Sequence, residues 1–417
     1  MRTKSWILAF VTTLMLAPSA ALAYSGRVLD AATGAPLAGA IVTLGSEVVT
    51  TDDGGRYRLN GNGGVVGARA PGYRRSEIGA QDAKGEELPP LLLAPFRPKG
   101  LYLSFWGIGD RGLREGALEV ASAGGLNTLV IDVKGDRGWI PYPTKVAKAE
   151  AVGARRHTTV RDMAGMVARL KERGLYLIAR IVVFKDDPLA TSHPEWAVRT
   201  TKGEPFRDRE KLAWVDASRP EVWAYNLDIA AEAAELGFDE IQFDYVRFPD
   251  AGGLVLSVPN TEAQRVAAIS GFLAAAKKRL APYNVFVSAD IFGYVLWNRN
   301  DTSIGQELRS VAGQVDYVAP MLYPSGFHLG IPRYTNPVAN PYEIVYLTLK
   351  NGAERAGLPP VRFRPWLQAF RDYAFDRRTF GEHEVRRQID AADTFGANGW
   401  MLWNPNNRYS SEGLKKR

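Results

Sequence analysis

Gly237-Phe-Asp-Glu-Ile-Gln-Phe-Asp244-Tyr-Val-Arg-Phe-Pro249 reads as a buried strand that ends on a carboxylate and then breaks at a proline. Alternate residues of a strand share a face, so Gln242 and Asp244 point one way and Ile241, Phe243 and Tyr245 the other. An unpartnered carboxylate on an apolar strand is costly to bury, so Asp244 needs a partner or a task. Capping of neighbouring loop amides is one solution. Chemistry is the other, and it is the usual one at the C-terminal end of a parallel barrel strand.

Around this stretch, strand-like runs alternate with longer helical segments, which is the pattern of a parallel α/β fold. The strand candidates are Gly100–Trp106, Thr128–Val133, Tyr176–Phe184, Glu240–Asp244, Val285–Asp290, Tyr317–Leu322, Arg364–Gln368 and Trp400–Trp403. Between them, Glu221–Leu236, Thr261–Leu280 and Glu382–Phe395 carry helical periodicity. Eight β/α units predict a (β/α)8 TIM barrel over residues 97–417. A doubly wound open sheet fits less well, because no Gly-x-Gly-x-x-Gly turn follows the first strand.

The barrel is preceded by two other segments. Arg2 and Lys4, the apolar run Trp6–Ala17 and Ala21-Leu22-Ala23 give the three parts of a secretory signal over residues 1–23. The apolar run is short for a membrane span of ~20 residues, so no stable span is expected after cleavage. The expected location is secreted or periplasmic. Residues 24–96 hold short alternating runs separated by Gly, Asp, Asn and Pro, predicting a small all-β, immunoglobulin-like sandwich, with Asp52-Asp53-Gly54-Gly55 as a hairpin turn. Pro89-Pro90, Pro95 and Pro98 predict a stiff linker.

Composition narrows the chemistry. The chain has no cysteine, which excludes disulfides, thiol catalysis and thiolate metal sites. Its four histidines, His157, His193, His328 and His383, are scattered and not in ligand spacing, so neither a metal nor any other cofactor is expected. The net charge of +7 is spread without a basic stripe. It permits an acidic polymer as partner, whereas no phosphate loop or basic aromatic platform points to nucleic acid.

In a TIM barrel, site residues collect at strand ends. Here those ends carry Asp132 and Lys134, Gln242 and Asp244, Ser288 and Asp290, Trp366 and Gln368, and Trp403 with Asn404. Carboxylates, amides and tryptophans converging on one rim make a saccharide-binding composition. Trp106, Trp297 and Tyr323 are further candidates for the rim. Glycosidic cleavage needs two carboxyl groups astride the bond. Asp244 and Asp290 lie on neighbouring strands, spaced ~4.8 Å apart, from which side chains reach the ~5–5.5 Å separation of retaining enzymes. Asp244 is assigned as nucleophile and Asp290 as general acid/base. Asp132 is a third acid, for a sugar hydroxyl or for Lys134. Asp239, Glu240 and Asp316 start strands and belong at the opposite face. Arg180, inside the third strand, needs a carboxylate and is expected to pair with Asp132 or Asp244. Arg247 either does the same from its loop or anchors that loop. Asp186–Pro220 is long enough to wall a groove. A Schiff-base role for Lys134 or Lys185 is disfavoured by Asp132 beside Lys134. The main rival to an enzyme is a non-catalytic polysaccharide-binding barrel.

Two resemblances add to this reading. Gly26-Arg-Val-Leu-Asp30, Thr33-Gly-Ala-Pro-Leu-Ala-Gly-Ala40, Thr51-Asp-Asp-Gly-Gly-Arg-Tyr57 and Ala70-Pro-Gly-Tyr73 resemble the carboxypeptidase-regulatory-like domain, which implies an accessory, non-catalytic module. The second rests on Gly100-Leu-Tyr-Leu-Ser, Val130-Ile-Asp132-Val-Lys134-Gly-Asp136, Ile178-Ala-Arg180-Ile-Val-Val-Phe-Lys185-Asp186 and Gln242-Phe-Asp244-Tyr-Val-Arg247-Phe-Pro249. It continues through Asp290-Ile-Phe-Gly, Ala319-Pro-Met-Leu-Tyr323-Pro324 and Gly399-Trp-Met-Leu-Trp-Asn404. These resemble the bacterial putative glycosyl hydrolase domain family, itself similar to retaining α-amylase-type barrels. The resemblance implies a poly- or oligosaccharide substrate and puts Asp244 where the broader group keeps its strand-four nucleophile. That group has Glu where this chain has Asp290, Arg where it has Gln242, and a strand-seven acid near Gln368. An amylase substrate is therefore not implied.

Overall fold

The computed structural model describes residues 22–415. The expected signal segment lies outside the described residues except for Leu22 and Ala23, which open a strand. Among the described residues, no helix is long and apolar enough to cross a membrane.

The expected barrel is present. Its strands are β1 (Lys99–Leu103), β2 (Thr128–Lys134), β3 (Tyr176–Val182), β4 (Glu240–Asp244), β5 (Phe286–Phe292), β6 (Tyr317–Met321), β7 (Trp366–Gln368) and β8 (Trp400–Trp403). They close in the order β3-β4-β5-β6-β7-β8-β1-β2, and neighbouring strands are parallel. β1 stops at Leu103, short of Trp106, because Ser104 caps a short helix by accepting from the Gly107 amide. Around the barrel pack α1 (Arg111–Gly124), α2 (Met163–Glu172), α3 (Pro220–Glu235), α4 (Glu262–Leu280), α5 (Leu308–Ala312), α6 (Pro341–Ala356) and α7 (Glu382–Phe395). The sequence pattern implies a helix after every strand, but β8 runs into a turn-rich tail. There Tyr409 and Asn407 bond back to the Tyr102 carbonyl and seal the β8–β1 seam.

Periodicity explains the layers. α4 starts on the Thr261 cap, ends on Lys277, Lys278 and Arg279, and buries Ala268, Ile269, Phe272, Leu273, Ala276 and Leu280. Phe272 meets Phe243 and Phe184 edge-on at 5.0 and 5.4 Å, joining the outer faces of the strands to the helical ring. Cutting it to Ala costs about 3–5 kcal/mol. The inward residues form a second, smaller core of Tyr102, Val130, Tyr176, Ile178, Phe286, Tyr317, Ala319, Trp366 and Met401.

The N-terminal unit consists of two sheets around a core that includes Val28, Val42, Leu59, Val66 and Leu91. One pairs Leu22–Asp30 with Arg56–Gly61 and Leu91–Leu93, and the other joins Glu47–Thr50, Ile41–Leu44, Val65–Arg69 and Ser76–Gly79. The turn at Asp52 therefore carries the chain from one sheet to the other rather than closing a hairpin. The expected linker is partly strand: Leu91–Leu93 is an edge strand parallel to Val28–Asp30, a place where flanking prolines are tolerated. Beyond it, Gly399 (φ 76°) lies so near the Pro98 carbonyl that a Cβ would sit 1.7 Å from that oxygen.

This unit sits under the strand starts. The Gly72 amide donates to the Tyr317 hydroxyl at 2.9 Å, Arg69 meets Asp316 at 3.5 Å, and Phe96 packs on Tyr176. Asp239, Glu240 and Asp316 lie at this end as expected. Glu240 is ion-paired with Arg364 and accepts from Tyr176 Oη at 2.9 Å and Ser288 Oγ at 2.6 Å.

Candidate active site

At the other end of the strands, Arg180 organises a cluster of acids. It is 1% exposed. Its Nη1 donates to Asp132 Oδ1 at 2.7 Å, and its Nη2 donates to Asp136 Oδ1 at 2.8 Å. Nε and Nη2 both reach Asp244 Oδ2, at 2.9 and 2.6 Å. The expected pairing of Arg180 with Asp132 or Asp244 is met by both. One guanidinium serves three carboxylates, and each acid responds to its own surroundings. Burial, with the Asp136 charge adding to it, pushes Asp132 up to about 6 against the pull of Arg180. Tyr102 Oη and the Phe105 amide hold its other oxygen at 2.8 and 3.0 Å.

Asp290, on β5, is 1% exposed. Burial first, then the negative charge of Asp244, raises its pKa well above the carboxylate range. Trp366 Nε1 donates to its Oδ1 at 2.8 Å, and no protein donor among the described residues takes Oδ2. Asp244 accepts from the Tyr245 amide at 2.6 Å through Oδ1, and its side chain is 8% exposed. Tyr245 adopts φ 48°, an uncommon conformation for a bulky residue and one that concentrates at functional sites. Asp244 thus faces Arg180, while burial and the charge of Asp244 raise the pKa of Asp290.

Two clefts open beside this cluster. One, of about 220 Å³, is lined by Tyr102, Trp106, Asp132, Asp136, Trp139 and Trp403 among others. Trp106 is 54% exposed there. The other, of about 450 Å³, is lined by Lys185, Trp214, Tyr245, Arg247 and Phe292 among others. Glu210 borders both, so the segment Asp186–Pro220 does wall a groove. Trp403 is half-buried, stacks on Tyr102 at 3.9 Å and lies 4.9 Å from the Arg180 guanidinium. Burial, with the charges of Asp290 and Asp244 adding to it, raises the Tyr323 hydroxyl.

Other expected site residues lie elsewhere. Lys134 is turned away by a β-bulge: Arg180 pairs with Asp132 but Ile181 with Lys134, so two successive strand positions of β3 span three of β2. Its ammonium is buried among Asp186 at 2.5 Å, Asn226 at 2.8 Å and the Tyr225 ring. Gln242 is fully buried inside the barrel, with Nε2 on Met401 Sδ at 3.6 Å and Oε1 unpartnered. Trp366 is 1% exposed, so it holds Asp290 rather than offering a face to a sugar. Gln368 bonds Ser325 through both ends of its amide, tying the loop after β6 to β7. Asn404 braces its loop by donating to the Ala369 and Arg408 carbonyls. Trp297 packs outward and donates to Thr348 on α6 at 2.9 Å. Arg247 bonds the Phe248 carbonyl and not Asp244. The sequence reading missed Tyr102, Trp139 and Glu210 and gave Asp136 no role. The run Gly135-Asp136-Arg137-Gly138-Trp139 directly after β2 was the available signal.

Residues 100–409 match the family described as "Putative glycosyl hydrolase domain". The chain belongs to this family. Among solved structures, the glycoside hydrolase domain of PgaB (BpsB) from Bordetella bronchiseptica is 16% identical with a TM-score of 0.56, covering 78% of this chain and all of that one (100%). Alpha-L-fucosidase isoenzyme 2 from Paenibacillus thiaminolyticus is 15% identical with a TM-score of 0.51, covering 76% of this chain and 48% of that one. A hypothetical protein from Ruminiclostridium thermocellum is 33% identical over 46% of this chain and 96% of that one, with a TM-score of 0.41. The first two share the barrel fold with this family member. None of the curated proteins compared matches the chain.

Proposed function

We propose that the protein is a retaining glycoside hydrolase acting on an extracellular or cell-envelope polysaccharide, with Asp244 as nucleophile and Asp290 as general acid/base. The observation that carries this reading is a buried Asp290, its pKa raised by burial and by the charge of Asp244, together with an Asp244 set against Arg180, near a groove rimmed by Trp106, Trp139 and Trp403. In the first step Asp290 protonates the leaving oxygen while Asp244 attacks the anomeric carbon, breaking the glycosidic bond and forming a glycosyl–enzyme ester. In the second step the ionised Asp290 takes a proton from water, which displaces Asp244 and restores both groups. Arg180 positions Asp244, and Trp366 positions Asp290. The signal segment would deliver this activity to the periplasm or beyond, and the N-terminal sheets fit an accessory module of the carboxypeptidase-regulatory-like kind.

The test is product release from envelope and secreted polysaccharides by wild type, Asp244→Asn and Asp290→Asn, with the anomer of the first product read by NMR. Undiminished release by Asp244→Asn removes it from the nucleophile role, and an inverted first product removes the retaining mechanism. A second reading is favoured by the near-complete enclosure of both acids, 5% and 1% exposed. On this reading the barrel binds polysaccharide without cleaving it. Wild type that retains polysaccharide on a column yet releases nothing from it supports that account.

A further inference from the structure

The second cleft contains a cation without a counter-ion. Arg247 leaves the loop three residues after Asp244, and its guanidinium lies over the rings of Trp214, Phe292 and Tyr245 at 4.8, 4.6 and 5.0 Å. Its hydrogen bond to protein runs from Nη1 to the Phe248 carbonyl, at 3.0 Å. No carboxylate among the described residues forms an ion pair with it. Among the described residues, Arg209 of the same cleft likewise forms no ion pair, but no rings are stacked on it, and the remaining two cations are paired. Lys185 is held by Glu210 at 2.7 Å and Asp208 at 3.2 Å, and Arg207 by Asp187 at 2.8 Å. Asp208 also accepts from Trp214 Nε1 at 3.1 Å, so its charge is already committed. The charges of Asp244, Asp250 and Asp208 face Arg247 from a distance, while burial is the main influence on it and lowers its pKa. An arginine stays charged through such a shift. Three rings surround the guanidinium, and only Nη1 is engaged by a protein acceptor among the described residues. The N–H groups left over suit a planar anion, which a guanidinium takes with two parallel hydrogen bonds.

We propose that Arg247 receives an anionic group of the saccharide, so that the substrate is an acidic, carboxylate-bearing polysaccharide rather than a neutral one. The inference rests on the carbohydrate reading above and adds the substrate class. The binding of such a group would neutralise a cation that the fold leaves unpaired. The strained Tyr245 then has a role on both sides, since its amide holds Asp244 and its ring lies under Arg247.

The experiment is affinity electrophoresis of the Asp244→Asn protein through gels containing polygalacturonate, alginate or hyaluronate, each beside its carboxyl-reduced neutral counterpart. At least one acidic polymer is expected to retard the protein, its reduced form not, and added salt is expected to weaken the retardation. Arg247→Met is expected to lower the apparent affinity about tenfold or more, and Arg247→Lys to retain part of it. Equal retardation by a reduced polymer, unchanged retardation of Arg247→Met, or retardation by none of the acidic polymers overturns the proposal. If Arg247→Met does not fold, Arg247→Lys and the reduced polymers decide the outcome. Cleavage of a neutral polysaccharide by wild type, without acidic retention, sinks this inference and leaves the glycosidase standing. Acidic retention without cleavage does the reverse.

Discussion

The barrel buries an arginine at each end, and the two are matched differently. At the floor, Arg364 faces one carboxylate, Glu240, and both sit within a closed set of partners: Tyr176, Ser288, Asn398 and the Tyr317 ring. The N-terminal sheets then cover that end. At the mouth, Arg180 faces three carboxylates, with Asp290 close enough to feel its charge, and two clefts open beside them. One cation stands among four acids, and burial, with the neighbouring negative charge adding to it, raises the pKa of Asp132 and Asp290. Both ends are buried, so the surplus of acids over cations is what separates the candidate site from the structural ion pair.

Breaking Asp290 at the mouth should affect turnover and spare stability. Asp290→Asn is expected to lower kcat/KM by about 10²–10⁴-fold while the midpoint of thermal unfolding holds. Breaking the floor should do the opposite. Glu240→Ala strands a buried guanidinium and is expected to cost about 3–5 kcal/mol in denaturant unfolding, with kcat/KM per folded molecule unchanged. Equal effects of both substitutions on both readouts would erase the distinction drawn here.

The acids also give the mouth a pH signature. Asp132 titrates at about 6 in the folded chain, against ~3.9 when unfolded. Folded protein therefore binds this proton more tightly, and the stability it lends is full below the unfolded value and lost as pH rises through the folded one. The thermal advantage of wild type over Asp132→Asn should shrink across that window. Asp290 must be protonated to act as acid, so its deprotonation should set the alkaline limb of kcat/KM. The Trp366 N–H favours the ionised form, so Trp366→Phe should move that limb to higher pH. The smallest effect belongs to the rim. Trp106→Ala removes an exposed ring from the cleft and should raise KM by an amount equivalent to about 0.5–1.5 kcal/mol, with kcat held.

The barrel was legible because its strands are short apolar runs with polar residues at even spacing. Asp132, Arg180, Asp244 and Asp290 each sit at the inward phase of that alternation, and the structure brings them together. The misreadings arise where alternation stops. At Lys134 one extra residue in β2 reverses the phase, and a bulge leaves no mark in composition. Trp366 and Gln368 do keep the phase, but sequence does not reveal that Asp290 and Ser325 already occupy their polar atoms. Trp297 and Asn404 lie beyond their strands, where strand geometry has no hold. The Asp136–Trp139 wall comes from a loop folding back over the mouth, a long-range event that local pattern does not encode.

The seam between sheets and barrel carries one more consequence. Tyr176 and Tyr317, 2% and 1% exposed, meet the sheets through Phe96 and the Gly72 amide. A barrel produced without residues 22–96 would expose this aromatic underside to water, and bare apolar surface of that kind draws molecules together. Covering that underside is a task the small module performs away from the groove, and self-association of the truncated barrel is the outcome expected.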